Sequence, residues 1–298
     1  MMKSEFTMRR LDGSEQAMIL PLWQECFPDF WEQLAVSRGE LPYEEISFAA
    51  FDGANVVGHC GIIPYRIWCK GEICPMAGVA SVAVLPAYRN RGIARELCRL
   101  AVRWATENEF VSLPLYTSHY RVYESAGFRM LDGVPEAREI IGGKKTAALS
   151  WNRGSGLTDA EKENIIRLYG DSPVFDGKVL RDRCGTLHSW ERIFAEPEFR
   201  FAAVPKMYAI KVDDTIVEVA FDAGQTTVAD RKRLFYQLGA QKIYLPETAL
   251  IQELLDGVET RSFPVQEVMH GEKIMVLDTG EKEFHRENQI FFPVTDKF

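Results

Sequence analysis

Apolar and basic positions recur with a helical period in the stretch that follows Gly92. The apolar face carries Ile93, Leu97, Leu100 and Trp104, and the opposite face carries Arg95, Arg99 and Arg103. This spacing of three and four residues predicts an amphipathic helix that packs one face against a core. The run GVASVAVLP directly before it is rich in Val and Ala, which predicts a buried strand.

Other patterns in the first half predict further short elements. ISFAAFD and VVGHCGIIPYRIWCKGE favour strands joined by a turn at Asp52 and Gly53, and FVSLPLYTS favours another strand. DGSEQAMILPLWQECF favours a helix, with a second helical piece at about residues 30–37. HYRVYESAGF favours a short helix that ends at Gly127. FRML and PEAREIIG are expected to close this unit as two strands.

The second half repeats a similar order of elements. The loose segments IGGKK and WNRGSG indicate a boundary near residue 150, and Thr158 with Glu161 predicts a capping box that starts a helix. The strands FRFAAV, KMYAIKV and TIVEVAFD, the helix VADRKRLFYQL, the strand QKIYL, the helix TALIQELLD and two final strands to Leu277 follow. The shared order predicts a weak internal repeat of one α+β unit.

Composition narrows the class of protein. The 298 residues are 46% hydrophobic and 26% charged, which is typical of a folded protein with one large or two ordinary domains. No apolar run approaches the roughly 20 residues of a membrane span, and the N-terminus has no signal-peptide pattern. We therefore expect a cytoplasmic location and no membrane partner. The net charge of −8 argues against a nucleic-acid partner.

The six cysteines are scattered and form no CxxC pair. No set of His and Cys completes a zinc spacing, so we expect structural thiols and no metal.

The segment Arg89-Asn90-Arg91-Gly92-Ile93-Ala94 connects the predicted strand to the predicted helix. The first turn of a helix has backbone N–H groups without intrahelical partners and the positive end of the helix dipole. Gly92 has no Cβ to block a close approach, and the arginines add positive charge. Neither GxGxxG nor GK[ST] is present. The segment therefore predicts a diphosphate site of another kind.

These residues resemble the pyrophosphate loop of the GNAT superfamily of acyl-CoA-dependent N-acyltransferases. The family signature [RQ]xxGx[GA] is met by Arg89, Gly92 and Ala94, and the later YxxxGF segment is met from Tyr123 to Phe128. The resemblance extends from about residue 8 to about residue 145. It implies an α+β fold with a mixed central sheet flanked by helices. It also implies acetyl-CoA as the co-substrate.

A subgroup resemblance lies in PLWQECF, in VVGHCGIIPYRIW and in the second half of the chain. These stretches look like the enhanced-intracellular-survival type of multidomain acetyltransferase. That likeness implies a catalytic domain over residues 1–148 and a degenerate, non-catalytic GNAT-like domain over residues 149–298 that shapes the acceptor site. The third, sterol-carrier-like domain of the subgroup is expected to be absent because the chain ends at Phe298. Homo-oligomers are common in the subgroup.

The resemblance also implies roles for individual residues. The strand is expected to splay from its neighbour and to bind the pantetheine through Val82, Ala83 and Val84, and a backbone N–H near Val84 is expected to hold the oxyanion of the tetrahedral intermediate. The diphosphate contacts are expected from Arg89, Asn90, Arg91, Gly92, Ile93 and Ala94. Tyr123 matches the tyrosine that protonates the departing CoA thiolate. Ser118 is expected near the cofactor or as the cap of the following helix.

The general base stays open at this stage. The candidates are the side chains of His119, His59, Glu25, Asp29 and Glu40 and the terminal carboxylate of Phe298. An aromatic acceptor pocket is open in the same way, against ordinary core packing as the alternative. Its candidates are Trp23, Phe27, Phe30, Trp31, Tyr65 and Trp68.

The resulting hypothesis is acetyl transfer from acetyl-CoA to a primary amine of a small molecule or peptide. The alternatives are a transferase for a longer acyl or aminoacyl group and a non-catalytic acyl-CoA sensor or scaffold. The second half has FDAGQTTVADRK at the corresponding turn, without the GNAT signature, and has no YxxxGF segment. We therefore predict that it binds no CoA.

Overall fold

The structure is a computed structural model that describes residues 6–27, 39, 45–131, 136–141, 148–239, 241–264, 272–279, 284, 290–291 and 293. The strands of the first half are β1 (Thr7–Arg10), β2 (Ile46–Asp52), β3 (Asn55–Cys69), β4 (Glu72–Val84), β5 (Ser112–Thr117) and β6 (Arg129–Met130). Its α-helices are α1 (Leu20–Cys26), α2 (Ile93–Glu107) and α3 (Tyr120–Glu124), with short 3-10 helices at Gln16–Ile19 and Pro86–Tyr88. The helical piece expected at about residues 30–37 lies outside the described residues.

The elements of the second half follow in the order that the sequence predicts. The strands are β7 (Ala137–Ile140), β8 (Phe199–Val204), β9 (Met207–Val212), β10 (Thr215–Phe221), β11 (Lys242–Ile243), β12 (Thr260–Phe263) and β13 (Lys273–Asp278). The helices are α4 (Asp159–Asp171), α5 (Trp190–Ala195), α6 (Val228–Gln237) and α7 (Ala249–Leu255). None of the helices in the described ranges is long and apolar enough to cross a membrane.

Local sequence explains where several of these elements begin and turn. Thr158 and Glu161 form the predicted capping box at the start of α4. Lys70 and Gly71 have φ angles of 49° and 80°, which allows the tight turn between β3 and β4. The apolar face of α2 is buried at Ile93 and Leu97, as its period predicts. The predicted α+β class is therefore confirmed by the elements themselves.

The thirteen strands described here form two sheets that exchange strands. The first sheet has the order β1-β2-β3-β4-β5-β13-β6, and the second has the order β12-β7-β11-β10-β9-β8. The expectation that PEAREIIG closes the first unit is wrong, because β7 pairs with β11 and β12 of the second sheet. β13 leaves the second half and lies between β5 and β6. A boundary at residue 148 leaves β7 on the N-terminal side, although β7 belongs to the second sheet. It leaves β13 on the C-terminal side, although β13 belongs to the first sheet.

The two units also share a hydrophobic core. Buried side chains of β3, such as Ile67, pack in one cluster with Trp190 of α5 and Tyr208 of β9. The segment 177–180 runs along the outer part of β3, where Leu180 N donates to Arg66 O at 2.9 Å and Trp68 N donates to Lys178 O at 2.9 Å. The second unit is therefore joined to the first through backbone hydrogen bonds as well as packing.

Candidate active site

β4 carries the predicted acyl-CoA residues and separates from its neighbour β5. Among the described residues, one pair joins these parallel strands, Met76 with Ser112. Val82, Ala83 and Val84 lie beyond that pair, at the far end of β4. This is the divergence that the GNAT resemblance predicts, and it leaves this edge of Val82–Val84 without strand pairing to β5.

A β-bulge lies just before these three residues. On β3, His59 pairs with Ala83 and Gly61 pairs with Ala80, so Ser81 and Val82 together oppose Cys60 alone. Ser81 has a φ of 51°, a left-handed conformation that non-glycine residues adopt rarely. The bulge changes the direction of the β4 backbone at the start of the predicted acyl-CoA segment. No feature of the sequence pattern indicates it.

The predicted diphosphate loop leads from β4 directly to the start of α2. Gly92 is the N-cap of α2 with a φ of 79° and no side-chain cap hydrogen bond. A Cβ at this position would lie 3.2 Å from the Arg95 guanidinium. Helix geometry leaves the N–H groups of Ile93 and Ala94 without intrahelical partners. The helix dipole adds partial positive charge to this turn, so the turn suits a ligand phosphate.

Neighbouring side chains hold the loop in place. Tyr88 OH donates to Asp52 Oδ2 at 2.8 Å, and the Arg91 guanidinium lies 5.3 Å from the centre of the Tyr88 ring. Arg89 Nε donates to the Val84 carbonyl oxygen at 3.1 Å. Asn90 has a φ of 63°, which Asn tolerates better than most residues. Both arginines and Asn90 are exposed, so their polar ends are accessible to a ligand.

Tyr123, the predicted general acid, lies on α3, where it is half-buried and packs against the core formed by α2 and the first sheet. Burial raises the pKa of the Tyr123 phenol well above its ordinary value, and Cys98 of α2 and Cys60 of β3 add to the shift. A hydrogen bond with the side chain of Thr117 opposes it. The phenol therefore keeps its proton at neutral pH, which a proton donor requires. Sequence reasoning missed Thr117, the last residue of β5.

Ser118 does not cap the short helix. α3 begins at Tyr120, its N-cap is His119, and no side chain caps it. Thr117 Oγ1 instead accepts a hydrogen bond from His119 N at 2.8 Å. Ser118 and His119 are both exposed. The contact of Ser118 with the cofactor remains a prediction.

The candidates for the general base are spread over different surroundings. Glu25 is an exposed residue of α1, whereas His59 is completely buried between β2 and β4. Asp29, Glu40 and the terminal carboxylate of Phe298 lie outside the described residues. The described positions therefore do not single out a base.

The candidate aromatic residues differ in the same way. Trp23 is fully buried and packs with Ile19 and Phe51, as core residues do. Tyr65 is buried where the two units meet, with its ring centre 4.5 Å from that of His188. Phe27 and Trp68 are half-buried, and Phe30 and Trp31 lie outside the described residues.

Comparison with known proteins assigns this arrangement to a class. Residues 7–131 match the family profile described as the acetyltransferase (GNAT) domain. Residues 7–131, less than half of the chain, are therefore assigned to a GNAT acetyltransferase domain, as the loop and Tyr123 motifs predict. A stretch of 99 residues is 28% identical to the N-acetyltransferase Eis of Mycobacterium bovis and Mycobacterium tuberculosis. That stretch is 33% of this chain and 24% of those relatives, about a quarter of their length.

Solved structures resemble the chain over both units. A probable N-acyltransferase of Enterococcus faecalis has a TM-score of 0.62 at 15% identity, over 92% of this chain and 72% of that one. Eis1 of Mycobacterium abscessus has a TM-score of 0.58 at 14% identity, over 92% of this chain and 74% of that one. Both likenesses concern the fold, and they confirm the predicted GNAT architecture.

Proposed function

We propose that this protein is an N-acetyltransferase that transfers the acetyl group of acetyl-CoA to a primary amine of a small molecule or peptide. One observation carries the proposal: the free edge at Val82–Val84 leads directly into a helix N-terminus capped by Gly92. A pantetheine chain needs a free strand edge, and the diphosphate attached to it needs unpartnered N–H groups. The two requirements meet here at one end of β4.

The loop holds the diphosphate of CoA. Backbone N–H groups of Gly92, Ile93 and Ala94 donate to it, while Arg89 and Arg91 neutralise part of its charge. Gly92 permits the close approach because it has no Cβ and adopts a φ of 79°. The fit rests on these residues of the first unit.

The free edge of β4 positions the thioester. Val82, Ala83 and Val84 pair with the pantetheine amides, and a backbone N–H near Val84 donates to the thioester carbonyl oxygen as negative charge develops there. Removal of such a donor in other enzymes costs about 3–4 kcal/mol of transition-state stabilisation. Acetyl-CoA itself supplies an activated acyl group and a thiolate leaving group.

Tyr123 supplies the proton for that leaving group. Its side chain is half-buried, and its phenol is hydrogen-bonded to Thr117 and carries its proton at neutral pH, as a proton donor must. The amine attacks the thioester carbon, the C–S bond breaks, and the phenol proton goes to sulfur. The proton that the amine loses goes to a base or to water.

The second unit shapes the acceptor side. Leu187 of the second unit packs on Ile63 of β3 and Ala80 of β4, one residue before the bulge. The acceptor-binding surface therefore includes residues of both units.

All six cysteines are free thiols, which agrees with a reducing cytoplasm. Self-association stays a prediction that light scattering checks.

Free-thiol release from acetyl-CoA in the presence of an amine panel tests the activity. The panel contains polyamines, aminoglycosides, amino acids and peptide N-termini. Tyr123→Phe is expected to lower kcat by about a hundredfold while CoA affinity stays within about twofold. Tyr120→Phe, on the same helix, is the matched control and is expected to keep its activity.

The same experiment separates the alternatives. A wild-type protein that binds CoA but transfers acetyl to no member of a wide panel would favour the sensor or scaffold. Faster turnover with longer acyl-CoA donors would favour the longer-acyl transferase. Normal turnover by Tyr123→Phe would contradict the assignment of the proton donor.

A further inference from the structure

A histidine and a carboxyl group lie together inside the first sheet. His59 of β3 and Glu45, which precedes β2, both have completely buried side chains, and His59 Nε2 lies 3.3 Å from Glu45 Oε1. Fully buried ionisable side chains are rare because burial penalises charge. The GNAT signature includes neither residue.

The other ring nitrogen of His59 faces the bulge. His59 Nδ1 lies 2.8 Å from the carbonyl oxygen of Ser81. A carbonyl oxygen only accepts, so Nδ1 carries the hydrogen and donates it. Trp23 Nε1 lies 3.4 Å from the same nitrogen, but a protonated Nδ1 cannot also accept from Trp23. The shorter contact defines the orientation of the ring.

The Ser81 backbone needs such a contact. A non-glycine residue with a φ of 51° costs about 1–3 kcal/mol and persists where its surroundings hold it. The hydrogen bond from His59 attaches the strained peptide to the middle of β3. The next residues along the chain are Val82, Ala83 and Val84, which the proposed function places against the thioester.

Gly61 makes room for the carboxyl group. A Cβ at residue 61 would overlap Glu45 Oε1, so the glycine allows the carboxyl group to reach the imidazole. Gln16 Nε2 donates to the Glu45 carbonyl oxygen at 2.8 Å and holds the backbone that carries the carboxyl. Glu45 thus fixes Nε2 while Nδ1 holds Ser81.

We propose that His59 and Glu45 are positioning residues for acetyl transfer: Glu45 orients the imidazole, and the imidazole holds the Ser81 bulge so that the backbone of Val82–Val84 faces the thioester. The inference rests on the proposed function for its catalytic consequence. His59 is not the general base, because its side chain is completely buried, with Nδ1 at hydrogen-bond distance from the Ser81 carbonyl oxygen and Nε2 3.3 Å from Glu45 Oε1.

Two variants of similar size and polarity test which ring nitrogen matters. The amide nitrogen of Asn is bonded to Cγ, as Nδ1 of His is, so His59→Asn keeps a donor near Ser81. The amide of Gln lies one atom further out, as Nε2 does, so His59→Gln loses that donor. His188→Gln, at a second buried histidine, is the control for general destabilisation.

We expect His59→Gln to lower kcat by at least about tenfold, since a displaced oxyanion donor costs up to about a thousandfold when removed. His59→Asn is expected within about fivefold of the wild type, because the hydrogen bond to Ser81 is kept. Calorimetry should show a smaller change in CoA affinity than in kcat for both, because the diphosphate contacts of the Gly92 loop are separate from the bulge. Hydrogen exchange should be faster at Ser81–Val84 in His59→Gln than in His59→Asn.

Equal kcat and equal exchange in the Asn and Gln variants would overturn the proposal. So would a parallel loss of activity, CoA affinity and unfolding temperature in both variants, since that describes a merely structural side chain. If the wild-type protein transfers no acetyl group, the proposed function fails. The exchange rates at Ser81–Val84 still decide in that case whether His59 holds the bulge.

Discussion

The two units of the molecule treat the start of a helix in opposite ways. In the first unit, α2 begins at Gly92, which offers no side chain as a cap. In the second unit, α6 begins at Thr227, whose hydroxyl accepts from Asp230 N while the Asp230 carboxylate accepts from Thr227 N. The first helix leaves its N–H groups for a ligand, and the second satisfies them itself. The contrast supports the proposal that CoA binds to the first unit.

The contrast extends to the other described helices. Side chains cap all four helices of the second unit, at Thr158, Ser189, Thr227 and Thr248. None of α1, α2 and α3 has a side-chain cap. Exposed arginines precede α2, and both α2 and α6 have an acidic residue in the first turn, Glu96 and Asp230. Helix N-termini whose N–H groups are bonded to side chains suit a unit that has a structural role.

A substitution at Gly92 is the most direct test of this difference between the two helix starts. Gly92→Val places a β-branched residue at a φ of 79°, which costs about 2 kcal/mol and adds a side chain where the phosphate approaches. We expect CoA affinity to fall by about a hundredfold. Gly224→Val, in the turn before α6, is the control, because its Cβ would meet Asp222 Oδ1 at an ordinary 3.6 Å. Calorimetry with CoA measures both, and equal affinities would remove the role of Gly92.

A fall in pH is expected to remove the stabilising effect of His59 in the first unit before that of Asp230 in the second unit. Burial lowers the pKa of His59 from 6.5 to about 4, so the unfolded chain binds the proton more readily than the folded chain does. The contribution of His59 to the free energy of unfolding is therefore present above about pH 6.5 and is lost as the pH falls from 6.5 to 4, by about 2 kcal/mol at pH 5. Hydrogen bonds from Thr227 lower the pKa of Asp230 below its ordinary 3.8, so its stabilisation is lost only at lower pH.

Urea unfolding at pH 7 and pH 5 measures this difference. His59→Asn should show a smaller loss of stability between the two pH values, because Asn does not titrate. An unchanged loss in that variant would assign the effect to other groups.

The arginine before α2 should matter for CoA, and an arginine on α6 should not. Arg89→Ala is expected to raise the KM for acetyl-CoA about fivefold, and less at high salt because ions screen the attraction. Arg233→Ala is the matched control, since this exposed arginine pairs with Asp230 in the first turn of α6. Steady-state kinetics at low and high salt compare the two variants. An equal effect of both would indicate a general influence of charge.

The smallest expected effect concerns the capped helix. Thr227→Ala removes the hydroxyl that accepts from Asp230 N, which should lower the free energy of unfolding by about 1 kcal/mol. CoA affinity should stay within about twofold, because the proposed CoA site lies at the start of α2. Thermal unfolding and calorimetry on the same samples check both statements. A large loss of CoA affinity would mean that the second unit contributes to the CoA site.

The local parts of this structure could be predicted from the sequence because local physics decides them. The apolar period after Gly92 predicts α2, and Thr158 with Glu161 predicts the cap of α4. The loop motif and Tyr123 identify the GNAT domain because their chemistry depends on residues close together in the chain. The roles of those residues in binding and catalysis remain predictions for the variants above.

Pairing and burial between distant residues could not be predicted in this way. Alternation of side chains predicts that Ala137–Ile140 and Lys273–Asp278 are strands, but it contains no information about which sheet edge each joins. The bulge at Ser81 and its contact with His59 depend on the register between β3 and β4, and Glu45 joins them because Gly61 leaves space. The sequence by itself therefore determined the elements, the loop and the class of protein. Only the tertiary structure decided how strands are shared and which buried side chains hold the site, because those contacts join residues far apart in the chain.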